Sequence, residues 1–206
     1  MLLFVTVVEL QALLGAITRR TLVGITGPPG SGKTHVARFL GYPVVAMDGF
    51  HLSNDELRRL GRRQRKGAPD TFDAAAFVQL LDHLRNGTVA VSVPAFSREL
   101  DEPVADAFAI DVGVSVVLVE GNYLLLDEGP WAEVASRLDL SVYVDVPVGV
   151  RHARLLARQV RSHGSAAAAQ RWIETVDDPN AAIVERTKAR ADHVVVPGEL
   201  PGSPLW

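Results

Sequence analysis

Short runs of apolar, mostly β-branched residues punctuate the chain, and segments with apolar positions at helical spacing lie between them. The runs fall at residues 21–26, 44–47, 88–93, 114–119, 140–146 and 193–196. Near-continuous Val, Ile and Leu is what a strand covered on both faces requires, so these runs predict a parallel sheet. Helices are predicted near 35–40, 73–85, 131–138, 150–162 and 180–190. Asp73 is placed to cap the helix that carries Phe77, Leu80, Leu81 and Leu84. Near the start, Val8, Leu10, Leu13, Leu14 and Ile17 suit one face of a helix ending around Arg19 and Arg20. The alternation predicts a doubly wound α/β domain, a single unit over 1–206 without repeats or linkers.

Composition changes this picture little. The 206 residues are 48% hydrophobic and 22% charged, ordinary for one α/β domain with a core. A net charge of −3 gives no reason to expect nucleic acid or an acidic membrane as partner. Without cysteine, disulfides and thiolate metal sites are excluded. The apolar start lacks a basic segment and is interrupted by Glu9 and Gln11, so it does not read as a signal peptide. No stretch reaches the ~18–20 apolar residues of a membrane span. A cytoplasmic location is expected, and a homodimer is left open.

The chemistry enters after the first full strand. Gly27-Pro28-Pro29-Gly30-Ser31-Gly32-Lys33-Thr34 satisfies the phosphate-loop pattern G-x-x-x-x-G-K-[ST] without a mismatch, between a predicted strand and a predicted helix. Such a loop turns successive N–H groups toward phosphate oxygens, and the helix that follows adds its positive end. Lys33 is expected to reach the β- and γ-phosphates and the Thr34 hydroxyl to sit on Mg²⁺. Chemistry in an open α/β sheet gathers beyond the carboxyl ends of the strands. Two acids end strands on that same rim. Asp48 can act as general base toward an acceptor hydroxyl or serve as a turn cap. Glu120 follows an apolar strand, where P-loop proteins hold magnesium, and the choice of base between Asp48 and Glu120 stays open. Arg151, Arg154, Arg158 and Arg161 share one face of a predicted helix that carries no acid; they form either a solvated stripe or a lid over ATP.

These segments occur in a recognisable order. Residues 24–34, Met47-Asp48-Gly49-Phe50-His51, residues 65–73, Pro94-Ala95-Phe96-Ser97-Arg98 and Val119-Glu120-Gly121-Asn122 resemble the phosphoribulokinase, uridine kinase and pantothenate kinase family over about 8–197. The resemblance implies a P-loop NTPase fold with a small arginine-bearing lid at about 150–170. It implies ATP- and Mg²⁺-dependent phosphorylation of a hydroxyl on a small metabolite, a nucleoside or a sugar. It implies Asp48 and Lys33 as catalytic residues, Thr34 and Glu120 as metal ligands, and Arg154 and Arg158 over the nucleotide. Asp48, His51, Lys66, Phe96, Arg98 and Tyr123 are the residues expected at the acceptor. Trp172 and Asn180 lie in a stretch similar to the pantothenate kinase tail. The sequence departs from uridine kinases after the acid, where Gly49-Phe50-His51 replaces an aromatic pair, and residues 66–73 are nearer the pantothenate kinase version. A mechanical or regulatory ATPase is the alternative, although such proteins carry Asp-Glu where this chain has Glu120-Gly121. A GTPase would need a guanine-reading Asn-Lys-x-Asp motif, which is absent.

Overall fold

The computed structural model describes residues 3–198, the side chain of His163 excepted. The elements run β1 (Leu3–Val5), α1 (Val7–Gly15), β2 (Thr21–Thr26), α2 (Lys33–Leu40), β3 (Val44–Ala46), α3 (Asn54–Arg59), α4 (Ala74–Asn86), β4 (Val91–Ser97), β5 (Glu102–Ile110), β6 (Val116–Glu120), β7 (Leu140–Val144), α5 (Val148–His163), α6 (Ala166–Trp172), α7 (Asp178–Glu185) and β8 (His193–Val195). Six strands form one parallel sheet in the order β1-β8-β7-β2-β6-β3. The predicted α/β architecture is therefore the observed one.

Strand β2 shows why the sheet folds as it does. All six of its residues are buried, and its side chains divide between two cores. Leu22 joins Phe77, Leu81, Val117, Val119 and Trp131 on the α4 side. Val23 and Ile25 join Val36, Ala37, Leu118 and Val142 on the side of α1 and α2. Each face of the sheet is thus sealed by helices, the arrangement that parallel strands need. Asp73 caps α4 as expected, accepting from the Ala76 amide at 2.9 Å.

Three expectations need correction. The run at 88–93 is not a strand of the main sheet. Only its residues 91–93 are in a strand, opening β4, which pairs antiparallel with β5 in a separate hairpin and continues past Pro94. The register shifts between Val93 and Ala95, so Pro94 falls at an irregularity where its missing N–H is tolerated. Strand β5 escaped the pattern because most of its residues are exposed on both faces. The predicted helix at 131–138 is two short 3₁₀ turns, Gly129–Glu133 and Ala135–Arg137. The first helix is shorter than expected and rotated. It starts on a Thr6–Glu9 capping box, ends at Gly15, buries Val7, Leu10 and Leu14, and leaves Val8 and Leu13 exposed.

Candidate active site

The sheet order brings the expected residues together. Strand β6 lies between β2 and β3, and Glu120 stands in register with Ile25 on one side and Ala46 on the other. The phosphate loop leaves the end of β2, and Asp48 lies on the 3₁₀ turn Met47–Phe50 that leaves β3. They line a cleft of about 1460 Å³ at this edge, together with Lys33, Thr34, Arg154 and Arg158.

The loop is shaped by glycine at two tight points. Gly27 has φ +147°, and a Cβ there would stand 2.6 Å from the Val144 carbonyl oxygen. Gly30 has φ +80°, and a Cβ would meet the Leu155 side chain at 2.9 Å. Only glycine accommodates that backbone and that closeness together. Lys33 is buried, and its Nζ donates to the Gly27 and Pro28 carbonyls at 2.9 and 3.1 Å. Burial lowers its pKa to about 8, against the opposing pull of Glu120 and Asp48. The Ser31 hydroxyl is buried with no hydrogen-bond partner among the described residues. A loop with an orphaned hydroxyl and an ammonium resting on its own carbonyls fits a phosphate ligand, which supplies acceptors to both.

Thr34 Oγ1 donates to both carboxylate oxygens of Glu120, at 3.1 and 3.0 Å. Burial raises the Glu120 pKa, with Lys33 opposing and Asp48 adding to the rise. One hydroxyl and one carboxylate beside a phosphate cradle suit Mg²⁺, which takes few protein ligands and completes its shell with water and phosphate oxygens. Pro29 lines the cleft, and Arg154 Nη1 donates to the Ser31 carbonyl at 2.9 Å.

The opposite end of the cleft is built from the turn after β3, the loop between α3 and α4 and the hairpin. Asp48 is exposed, and its carboxylate makes no hydrogen bond among the described residues, so it does not act as a cap there. His51 Nδ1 lies 2.8 Å from the Asp48 carbonyl oxygen. A carbonyl can only accept, so Nδ1 carries the proton and Nε2 is the acceptor nitrogen. The ring packs on Phe72 and Phe96, with centroids 4.0 and 4.9 Å away, and burial lowers its pKa. Lys66 is fastened rather than free. Its Nζ donates to Asn54 Oδ1 at 2.8 Å and to the Asp101 carbonyl at 2.6 Å, and it sits 4.9 Å from the Phe96 ring centroid. Arg98 lines the cleft, exposed, with neither hydrogen bond nor ion pair among the described residues.

Tyr123 does not join them. It is buried in the core against Phe72 and Trp131, and its hydroxyl donates to the Gly67 carbonyl at 2.6 Å. It supports the loop before α4 instead of touching a ligand. The arginine stripe also divides. Arg151 is buried and pairs with Asp178 at 2.9 Å, while Arg154, Arg158 and Arg161 line the cleft. Its acid comes from another element, which the helix's own sequence could not show. Asp177, Gln159 and Asp101, not singled out from sequence, line the cleft too. Asp101 adopts φ +51°, which Asp tolerates better than most residues, and turns its carbonyl to Lys66.

Fold and site define a P-loop protein of the kinase type. The model described as "Phosphoribulokinase / Uridine kinase family" matches residues 22–199, and the chain belongs to that family. It is 33% identical to the "Uncharacterized protein YggC" of Escherichia coli over 86% of this chain and 78% of that one. It is 31% identical to a "Putative uridine kinase" of Schizosaccharomyces pombe over 86% of this chain and 83% of that one. The crystal structure of a "putative fructose transport system kinase" from Silicibacter sp. TM1040 shares 34% identity. It superposes with a TM-score of 0.84, covering 94% of this chain and all of that one. Family membership implies use of ATP. No helix among the described residues is long and apolar enough to cross a membrane.

Proposed function

We propose that this protein transfers the γ-phosphoryl group of ATP, with Mg²⁺, to a hydroxyl of a small metabolite, a nucleoside or a sugar. The observation that carries the reading is the row formed by the phosphate loop, the Thr34–Glu120 pair and the unbonded Asp48 carboxylate at the ends of three adjacent strands. An ATPase needs the first two of these; the third, facing an aromatic-walled recess, suits an acceptor hydroxyl. Lys33 stabilises charge on the transferring group, and Asp48 orients the hydroxyl and takes its proton. Thr34 and Glu120 would hold the magnesium, which supplies charge neutralisation at the phosphates. His51, Phe96 and Arg98 shape the acceptor's place, with Lys66 holding Phe96 and Asp101 in position. The test is ADP release from MgATP over a panel of nucleosides, pantothenate, and free and phosphorylated sugars. Release that depends strictly on one hydroxylated compound supports a kinase, and release indifferent to all of them supports the ATPase alternative.

Glu120→Gln should weaken magnesium-dependent turnover while leaving metal-free ATP binding nearly intact. The substitution keeps the shape and a hydrogen bond to Thr34 but removes the hard anionic oxygen that Mg²⁺ prefers. Titrating rate against magnesium checks it; an unmoved magnesium curve would remove Glu120 from the metal.

The segment from α5 through α6 is proposed to close over the nucleotide, excluding water and suppressing hydrolysis. Arg154 already touches the loop, and among the described residues the Arg158 guanidinium is held by a long 3.5 Å contact to Asp177. Hydrogen exchange across 150–170 is expected to slow when ATP and acceptor bind together. Equal exchange with and without ligands would return these arginines to a solvated face.

A further inference from the structure

Asn180 is a buried polar residue of the cleft that the preceding chemistry leaves unused. It lies in the first turn of α7, is 5% exposed and lines the cleft, yet its side-chain amide makes no hydrogen bond with the described protein. The amide of this otherwise buried residue faces the cleft with its hydrogen-bonding capacity uncommitted, so a group entering the cleft can use it. Its surroundings place it at the acceptor end. Its Nδ2 would lie 3.9 Å from a Cβ on Gly67, the residue whose carbonyl receives the Tyr123 hydroxyl. The charges of Asp48 and Asp177 both bear on that same hydroxyl.

The approach to Asn180 is also unusual in its backbone. Residues Ile173–Asp177 form a π-helical turn between α6 and α7, with Pro179 close behind. Such turns shift helical register and recur at functional sites. Here the result is that Val176, Asp177 and Asn180 all line the cleft. Asp177 is itself 5% exposed and accepts from Gln159 Nε2 at 2.8 Å.

We propose that Asn180 is a specificity residue for the acceptor, its amide giving and receiving hydrogen bonds with a hydroxyl other than the one phosphorylated, so that the acceptor is a polyhydroxylated compound. The chemistry follows from the groups present. An amide offers donors and an acceptor, and a hydroxyl is the small group that answers both. An anionic group would use only the donors and would face the carboxylate of Asp177. A free sugar and the ribose of a nucleoside share this chemistry. The inference rests on the kinase reading above.

The experiment uses the full chain with MgATP, D-fructose and uridine as probes, and pantothenate as the acidic comparison. Asn180→Ala should raise KM for the polyol that wild type uses by about 10-fold or more, leaving KM for ATP and the melting temperature unchanged. Asn180→Asp, which keeps the shape but replaces the donor with charge, should lose the polyol similarly. A deoxy analogue lacking the contacted hydroxyl should bind wild type no better than it binds Asn180→Ala. Unchanged acceptor KM in both variants overturns the proposal while the kinase reading stands. So does a fall in melting temperature with both KM values rising in both variants, which marks Asn180 as structural. A wild type that phosphorylates pantothenate, an acidic diol, and neither D-fructose nor uridine overturns the assignment to a neutral sugar or ribose. ADP release indifferent to every probe overturns the proposal and counts against the kinase reading as well.

Discussion

Lys33→Ala is expected to abolish phosphotransfer and leave the fold intact. Transfer of a phosphoryl group asks little covalent chemistry of the protein, so positioning and charge stabilisation supply almost all of the catalysis. Lys33 is a cation fixed in a dry loop, where its field is weakly screened. Removing one such preorganised donor typically costs about 10²–10³-fold in kcat, and removing the charge with it should bring the loss to the upper end or beyond. The fold should survive because Lys33 makes no ion pair with the described residues. Its ammonium rests on two carbonyls of its own loop, and burial works against its charge.

The same burial gives this prediction a pH signature. The Lys33 pKa is about 8 in the fold against an ordinary 10.5, so the unfolded chain binds more protons between those values. The resulting destabilisation is present in full below about pH 8 and is relieved as pH climbs toward 10.5. Bound phosphate would favour the charged form, so ATP binding should weaken as pH rises past 8 in wild type and not in Lys33→Met. Circular dichroism melts, ATP titrations at several pH values and single-turnover assays with the cognate acceptor together check this. Turnover near the wild-type rate in Lys33→Ala would defeat it.

The sequence revealed most where one residue type at one spacing has one use. The phosphate loop, the strand-end acids Asp48 and Glu120 and the parallel core are of this kind, because local pattern and global placement agree there. The hairpin was hidden for a physical reason. Strand β5 packs against little besides β4, so it has no buried face to stamp an alternation on the chain. A tyrosine after an active-site strand reads equally as ligand contact or core; its burial and the 2.6 Å bond to Gly67 put Tyr123 in the core. The arginine helix shows the limit of reading a helix by itself. Its four positions share a face in projection, but Arg151 meets Asp178, 27 residues along, and the π-helical turn before α7 that brings Asp177 and Asn180 to the cleft leaves no mark in hydrophobic periodicity. Asn180 was within reach by resemblance alone; its unmet hydrogen bonds belong to the folded chain.

Asp48→Asn is the second large effect and the sharpest test of the acceptor chemistry. An alcohol holds its proton far above neutral pH, so attack is helped by a carboxylate that orients the hydroxyl and accepts its proton late. Asp48 meets the geometric conditions for this. It leaves β3 beside the strand that carries Glu120, lines the cleft, and spends its carboxylate on no donor among the described residues, while its main-chain carbonyl fixes His51 alongside. Asparagine keeps the volume and the exposed position and removes only the basic oxygen. ATP affinity and melting temperature should therefore stay near wild type while kcat falls by ~10²-fold or more. A variant that loses ATP affinity with normal kcat would make Asp48 a metal or nucleotide ligand. One that keeps full kcat would move the base to Glu120. That role fits Glu120 less well, since its two oxygens already share the Thr34 hydroxyl and burial holds back its ionisation.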